Sequence, residues 1–280
     1  MPEIQLSGGN LRYRDEGAGR PVVLIHGVLV NGTVWQHLLP RLAGDARVIA
    51  PDLPLGSHST PMKPDADLSP PGVAGMIAEL LQRLELEDVT LVGNDTGGAL
   101  CQVVAAHHPE RVGRLVLTNC DAFEHFPPPA IAPVVRAMKL PATVAALELL
   151  GRLRPMRRAT MSMMPLTVDP VPDEVVRGWI APLRDRRIRR DLVRVMRGIS
   201  AEHTLDAAKR LSGFERPALI VWGMRDKFFP FADAERLAAA LPNARIEKID
   251  NARTFVQLDA PERLAELIAQ FASAPEAAPH

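Results

Sequence analysis

Short apolar runs alternate with amphipathic stretches along most of the chain. Runs rich in β-branched residues predict buried strands, and apolar residues at helical spacing predict helices that pack on one face. The predicted strands are 22–25, 47–50, 89–92, 115–118, 218–222 and 245–249, and the predicted helices are 33–43, 72–86, 97–108, 203–212, 231–241 and 261–272. This alternation predicts an α/β fold with a mostly parallel central sheet flanked by helices.

Two regions depart from the alternation. Residues 4–7 and 11–14 flank a pair of glycines and predict an antiparallel hairpin at the sheet edge. Between about 122 and 200 the strand signal stops, and the periodicity predicts four helices, which is typical of a lid inserted over the carboxyl edge of a sheet. The expected organisation is a core at 1–121, a helical lid at 122–200, the rest of the core at 201–272 and a disordered tail at 273–280.

Charge narrows the range of partners. The chain carries 33 Lys and Arg against 33 Asp and Glu, which gives no support for binding nucleic acid or an anionic membrane. The predicted lid is locally basic, with 14 Lys and Arg against 6 Asp and Glu over residues 130–200. That excess fits either a solvated helical surface or a roof that favours an anionic substrate.

The cysteines and the chain's apolar segments bear on its compartment. Cys101 and Cys120 are too few for a disulfide framework or a zinc cluster and predict free thiols in a reducing compartment. The N-terminus shows no secretory pattern, and apolar stretches such as 142–150 are too short to span a membrane. We therefore expect a soluble, cytoplasmic protein that binds a small molecule without a metal or cofactor, and a homodimer remains open.

One turn carries the clearest chemical signal. The segment Gly93-Asn94-Asp95-Thr96-Gly97-Gly98 joins a predicted strand to a predicted helix. A sharp strand-to-helix turn needs small neighbours, because its central residue takes a strained backbone. The turn would present Asp95 beside the positive end of the helix, so Asp95 is the candidate nucleophile. Asp121, just after another predicted strand, fits either an auxiliary acid or a turn cap.

With Asp95 in this turn, residues 3–272 resemble the α/β-hydrolase fold, and within it the haloalkane dehalogenases and epoxide hydrolases. The resemblance implies that the aspartate forms an alkyl ester with an sp³ carbon, and that a histidine oriented by a second acid activates the water that cleaves it. Asp226 matches the second acid. The backbone N–H groups of Val28 and Thr96 match the oxyanion site.

The histidine of this family is missing here. Its final motif aligns with Arg253-Thr254-Phe255, so Thr254 stands in the histidine position. A threonine hydroxyl has no useful basicity at neutral pH. His203, where the chain leaves the predicted lid, and His125, where it enters, are the candidate surrogate bases.

Further departures concern the substrate. The residues that hold a halide in dehalogenases are replaced by Thr96 and Val28, and Leu29 stands where a proline is expected. Epoxide hydrolases use lid tyrosines to protonate the ring oxygen, whereas the one tyrosine here is Tyr13. His26 fits either a structural role or a substrate contact. The other expected contacts and wall residues are Trp179, Phe228, Phe229, Met161, Met163 and Met164.

Three functions stay open. In the first, Asp95 is the nucleophile of a hydrolase that acts on a small apolar substrate. In the second, a shielded Asp95 with a raised pKa transfers protons in an isomerase, lyase or cyclase reaction. In the third, the chain binds a ligand and has lost the chemistry.

Overall fold

The computed structural model describes residues 1–274, so the predicted disordered tail lies outside the described residues from position 275 onward. Within this range one sheet has the strand order β1-β2-β4-β3-β5-β6-β7-β8, with an antiparallel β1-β2-β4 edge and parallel pairing elsewhere. This confirms the mostly parallel sheet and the edge hairpin. The strands are β1 (Glu3–Leu6), β2 (Gly9–Glu16), β3 (Pro21–Ile25), β4 (Arg47–Pro51), β5 (Val89–Asp95), β6 (Val112–Cys120), β7 (Ala218–Gly223) and β8 (Ala244–Ile249).

Helices cover both faces of the sheet, and a further group lies between β6 and β7. Those that belong to the sheet layers are α1 (Leu39–Leu42), α2 (Pro70–Arg83), α3 (Thr96–His107), α9 (Ala201–Arg210), α10 (Phe231–Ala240), α11 (Val256–Asp259) and α12 (Pro261–Ser273). The others, which we call the inserted helices, are α4 (Ala132–Met138), α5 (Pro141–Gly151), α6 (Arg154–Met163), α7 (Asp173–Ile180) and α8 (Arg186–Gly198).

Prolines explain where the helix predictions were wrong. Five inserted helices occur in the described range rather than four, and α5 begins at Pro141, which cannot donate the backbone hydrogen bond that would continue α4. The predicted helix at 33–43 is a 3₁₀ turn at Gly32–Trp35 followed by the short α1, where Pro40 occupies the first turn.

The core is divided by the sheet. Strand residues alternate between the two faces, and both faces are buried, which is why the strands read as continuous apolar runs. Val23 and Ile25 of β3 pack with residues of α2 and α3 on one face. Val22 and Leu24 pack with α1 and α12 on the other. A third cluster joins the inserted helices to Phe126, so these helices are anchored above the carboxyl edge of the strands.

Cys101 and Cys120 are free, as predicted, and the structure shows that both are buried. Among residues 1–274, no helix combines the length and apolar character needed to cross a membrane. Within the same range, no group of three or more His, Cys, Asp or Glu side chains is arranged to hold a metal ion.

Candidate active site

Asp95 lies at the junction of β5 and α3 in a strained backbone conformation, with φ 57° and ψ −134°. Glycines make this turn possible. A Cβ at Gly97 would lie 2.3 Å from the carbonyl oxygen of Ile25, and a Cβ at Gly27 would lie 1.9 Å from Asp95 Oδ2. The Asp95 carboxylate therefore rests directly against the end of β3, in space that only glycine leaves free. Such strain is maintained where the side chain has a function.

The loop after β3 lies against this turn. Leu29 has a positive φ of 60°, and its N–H donates to the Leu55 carbonyl oxygen at 2.9 Å. Proline has a fixed negative φ and no N–H, so the proline expected from the family could not occupy this position. The backbone conformation of Leu29 and the hydrogen bond of its N–H therefore explain why proline does not occur here, and the N–H of the preceding Val28 faces Asp95.

The surroundings of Asp95 raise the pKa of its carboxyl to near neutral pH. Burial raises the pKa of Asp95 to about 7, and the negative charge of Asp226 raises it as well. The backbone N–H groups of Thr96 and Val28 face the carboxylate and oppose the rise. These are the two groups predicted for the oxyanion site, and the structure brings both to Asp95.

Asp226, after β7, is a well-satisfied carboxylate. It accepts hydrogen bonds from Asn119 Nδ2 at 2.8 Å and from the backbone N–H groups of Phe228 and Phe229 at 2.7 and 3.2 Å. Burial raises its pKa, and these donors oppose the rise because they stabilise the charged form. The structure thus places the predicted second acid next to Asp95.

Asp121, after β6, has the opposite character. Its Oδ2 accepts a hydrogen bond from Thr96 Oγ1 at 3.1 Å, but its buried Oδ1 has no hydrogen-bond partner. Burial raises the pKa of Asp121 well above its usual range, and the charge of Asp95 raises it further. The sequence is compatible with Asp121 as either an auxiliary acid or a turn cap. The structure places it at the site, in surroundings that favour the protonated carboxyl.

Thr254 is fully buried and offers no base. Its hydroxyl faces Asp226 and lowers the pKa of that carboxyl, yet it makes no hydrogen bond of normal geometry. The Thr254 carbonyl oxygen accepts from Asn94 Nδ2 at 2.7 Å, and Gln257 Nε2 donates to Asn94 Oδ1 at 2.9 Å. This network, which the sequence did not reveal, ties the Thr254 loop to the Asp95 turn.

The structure does not bring the predicted histidines to Asp95. His203 Nε2 lies 3.2 Å from the Gly198 carbonyl oxygen, and His125 Nδ1 lies 2.6 Å from Asp233 Oδ2. His26 accepts from the Leu53 N–H at 2.9 Å, and its other ring nitrogen lies 2.8 Å from the Gly27 carbonyl oxygen. Burial lowers the pKa of His26 to about 4. His26 is therefore a neutral structural residue and not the predicted substrate contact.

A cavity of about 150 Å³ lies between Asp95 and the inserted helices. Trp179, Phe228 and Phe229 line it as predicted, together with Met161 and Met164, whereas the predicted wall residue Met163 is 81% exposed. The remaining apolar walls include residues that the sequence did not single out, such as Phe126, Val135, Met138, Leu166, Ile199 and Phe255. An apolar cavity of this volume holds a ligand about the size of benzene.

Polar groups in the cavity are few. Within residues 1–274, the polar side chains that line it are those of Asp95, Thr96, Asp121 and Thr160, with no histidine, lysine or arginine among them. The basic excess of the inserted segment therefore does not face this cavity. Part of it is paired away from the cavity, where the buried Arg157 forms a bidentate ion pair with Asp173 at distances of 3.0 and 2.6 Å.

The strand order, the strained turn and the placement of Asp95 define a hydrolase-type α/β architecture. The profile of the family described as alpha/beta hydrolase fold matches residues 20–261, and the chain belongs to this family.

Relatives and solved structures agree with that assignment. The chain is 30% identical to a haloalkane dehalogenase of Mycolicibacterium paratuberculosis over 281 residues, which cover 94% of this chain and 88% of that protein. An alpha/beta hydrolase fold protein from Burkholderia ambifaria superposes with a TM-score of 0.80 at 26% identity, covering 95% of this chain and 96% of that one. The haloalkane dehalogenase DbeA from Bradyrhizobium elkani shares the fold, with a TM-score of 0.80, 20% identity and 97% of each chain covered. This agrees with the prediction of a hydrolase.

Proposed function

We propose that the protein is an enzyme in which Asp95 attacks a carbon atom of a small apolar substrate and carries it as an alkyl ester. The observation that supports this most is the position of the Asp95 carboxylate, held at a strained turn on the floor of an apolar cavity. A carboxylate in a cavity that excludes bulk water is poorly solvated and is therefore available to attack. The inserted helices act as the lid in this proposal.

The first half-reaction needs an ionised Asp95. One carboxylate oxygen forms a bond to an sp³ carbon while the bond from that carbon to a halogen, or to an epoxide oxygen, breaks and its electron pair leaves with that atom. The apolar walls orient the substrate with its reactive carbon toward Asp95. Because the pKa of Asp95 is about 7, the ionised and reactive fraction of the enzyme rises with pH through that value and levels off above it.

In the second half-reaction water adds to the carbonyl carbon of the ester. The oxyanion that forms would be stabilised by the N–H groups of Val28 and Thr96, which already face the Asp95 carboxylate. The bond from that carbon to the alkyl oxygen then breaks, and the alkyl oxygen takes one proton of the added water and leaves as an alcohol. The other water proton passes to water or to a neighbouring carboxylate, and Asp95 is again a carboxylate. Thr254 takes no part as a base, because its hydroxyl is buried and neutral.

The test is the intact mass of the protein after incubation with a panel of small alkyl halides and epoxides. We expect a covalent mass or a released alcohol with wild type, and a loss of at least about 10³-fold in Asp95→Asn, since removal of a nucleophile leaves only background reaction. Asp250→Asn makes the same change at an exposed aspartate and serves as the matched control. The proposal would be contradicted if panel compounds bind to the protein but yield neither a covalent adduct nor a product.

A second function is favoured by one observation. Two carboxyl groups with raised pKa values, Asp95 and Asp121, share a cavity that no histidine lines within residues 1–274. Such a pair can move a proton between two positions of a substrate, as an isomerase or lyase does. An Asp95-dependent product formed without an adduct and without incorporation of water would identify this function in the same experiment.

A further inference from the structure

Asp121 is a buried carboxyl group that the nucleophilic step does not use. It lies 2% exposed at the wall of the Asp95 cavity. Its Oδ2 is oriented by Thr96 Oγ1, and Thr96 is also the residue whose N–H faces Asp95. Its Oδ1 is buried without any partner. An unpaired buried polar atom destabilises a fold, so its presence at a cavity wall calls for an explanation.

We infer that Asp121 is the acid–base partner of Asp95, and that the substrate is a small apolar epoxide whose ring oxygen receives its proton from Asp121. This inference rests on the proposed nucleophilic role of Asp95. The free Oδ1 is the atom that carries and delivers the proton, which is why no protein group is bonded to it.

The geometry gives the two carboxyls different protonation states. Two buried carboxyls that face one cavity cannot both be ionised at low cost, because each charge disfavours the other. Asp95 has the N–H groups of Thr96 and Val28 to stabilise its charge, whereas Asp121 has one hydroxyl and its own backbone N–H, and its Oδ1 has no hydrogen-bond partner. The resting pair therefore holds one proton, with Asp95 as the anion and Asp121 as the acid.

Epoxide opening uses this resting state directly. Asp95 forms a bond to one ring carbon, the bond between that carbon and the ring oxygen breaks, and the oxygen takes the proton from Asp121. The products of this step are a hydroxyalkyl ester on Asp95 and a carboxylate at Asp121. No proton enters from or leaves to solvent.

Hydrolysis returns the proton to Asp121. The Asp121 carboxylate accepts a proton from water while the water oxygen bonds to the ester carbonyl carbon. The bond from that carbon to the alkyl oxygen then breaks, and the alkyl oxygen takes the remaining water-derived proton. A diol leaves, and Asp95 as anion with Asp121 as acid are restored, so one residue supplies the acid of the first step and the base of the second.

An alkyl halide does not fit this cycle. A halide ion leaves without a proton, so Asp121 would remain protonated when the ester forms and could not act as the base for water. The polar side chains around the cavity also offer little to a halide, since among residues 1–274 no arginine, lysine, histidine or asparagine lines it. Alkyl halides are therefore expected to stop at the ester.

The experiment compares Asp121→Asn with wild type on two reagents, cyclohexene oxide and 1-iodobutane. Asparagine keeps the shape of the side chain but cannot give up the proton. We expect epoxide opening to fall by at least about 100-fold, the effect of removing a general acid. With 1-iodobutane, which needs no acid, Asp121→Asn should still accumulate the Asp95 butyl ester. Retention of that ester reports a folded protein with a working nucleophile.

Two further readouts separate proton transfer from a structural role. The rate of epoxide opening by wild type should have a bell-shaped pH profile, because the reaction needs an ionised Asp95 and a protonated Asp121. In Asp121→Asn the decrease in rate at alkaline pH should disappear. Asp233→Asn is the matched control, since Asp233 is also buried but does not line the cavity. It should keep epoxide opening.

The possible failures are distinguishable. Epoxide opening by Asp121→Asn at the wild-type rate would overturn the inference and leave Asp95 as nucleophile. Loss of both the epoxide and the iodobutane reactions in a folded Asp121→Asn would also overturn it, because Asp121 would then only position Asp95. If wild type forms no Asp95-dependent ester or product with either reagent, the proposed function itself fails.

Discussion

Two carboxyl groups flank Asp95 from neighbouring strands, and they differ in what surrounds them. Asp226, after β7, accepts three hydrogen bonds, two of them from backbone N–H groups. Asp121, after β6, accepts one from a hydroxyl and leaves its second oxygen unpaired. Burial raises the pKa of both carboxyls, and the donors around Asp226 oppose that rise more than the surroundings of Asp121 do.

This difference also bears on Thr254, which stands in the position where the family resemblance implies a histidine. The surroundings of Asp226 still stabilise a negative charge beside Thr254, although no base stands there to be oriented. In the reaction that we infer, the proton for the substrate comes instead from Asp121. The comparison therefore predicts that the acid–base function of the site has moved from the β7 side to the β6 side.

The largest expected effect tests this comparison directly. Replacing each flanking aspartate by asparagine should slow epoxide opening by at least about 100-fold for Asp121→Asn and by less than about tenfold for Asp226→Asn, since only the first change removes a general acid. The measurement is diol formation under single-turnover conditions. Equal losses in the two variants would show that both carboxyls act only through the electrostatics of Asp95.

The next effect is on the pH dependence of stability. The unfolded chain ionises Asp121 near its ordinary pKa of 3.8, whereas the folded protein keeps the proton to a higher pH. The folded state thus binds more protons, and the free energy of unfolding falls as pH rises above about 4, by about 1.4 kcal/mol per pH unit for each such proton. Asp95, with a pKa of about 7, contributes in the same direction over the range from 3.8 to about 7.

Urea unfolding of the variants at pH 4.5, 6 and 7 checks this. Asp121→Asn should flatten the decline in the free energy of unfolding more than Asp226→Asn, because the donors around Asp226 limit the rise of its pKa. A steeper decline in Asp121→Asn than in wild type would contradict a protonated Asp121. Asp233→Asn again controls for the loss of a buried carboxyl outside the cavity.

The smallest expected effect concerns Thr254. Because its buried hydroxyl makes no hydrogen bond of normal geometry, Thr254→Val should leave ester formation and epoxide opening within about twofold of wild type and stabilise the fold by up to about 1 kcal/mol. Thermal unfolding and the two rates are the measurements. A large loss of turnover would show that this hydroxyl has a role in the reaction.

Local sequence was sufficient for most of the fold. Each buried strand is an apolar run that needs both faces covered, and the strand predictions for β3 to β8 were confirmed within a few residues. The count of inserted helices was wrong because Pro141 begins a new helix inside one apolar stretch. Asp95 was found because a strained turn needs a particular run of small residues.

The rest of the site depends on contacts between distant segments. His125 and His203 occupy plausible positions along the chain, but their partners, Asp233 and the Gly198 carbonyl oxygen, hold them away from the cavity. The significance of Asp121 rests on an oxygen without a partner, which no sequence pattern records. Hydrogen-bond satisfaction is a property of the assembled structure, so the sequence alone does not decide between an auxiliary acid and a turn cap for Asp121.

For the epoxide hydrolysis that we infer, the apolar walls have a consequence at the end of the catalytic cycle. A diol carries two hydroxyl groups into a space where, within residues 1–274, few polar side chains can receive them. Each hydroxyl buried without a partner costs about 1–3 kcal/mol, so the cavity that accepts the epoxide disfavours the diol. We therefore expect weak product inhibition, with departure of the diol driven by its return to water.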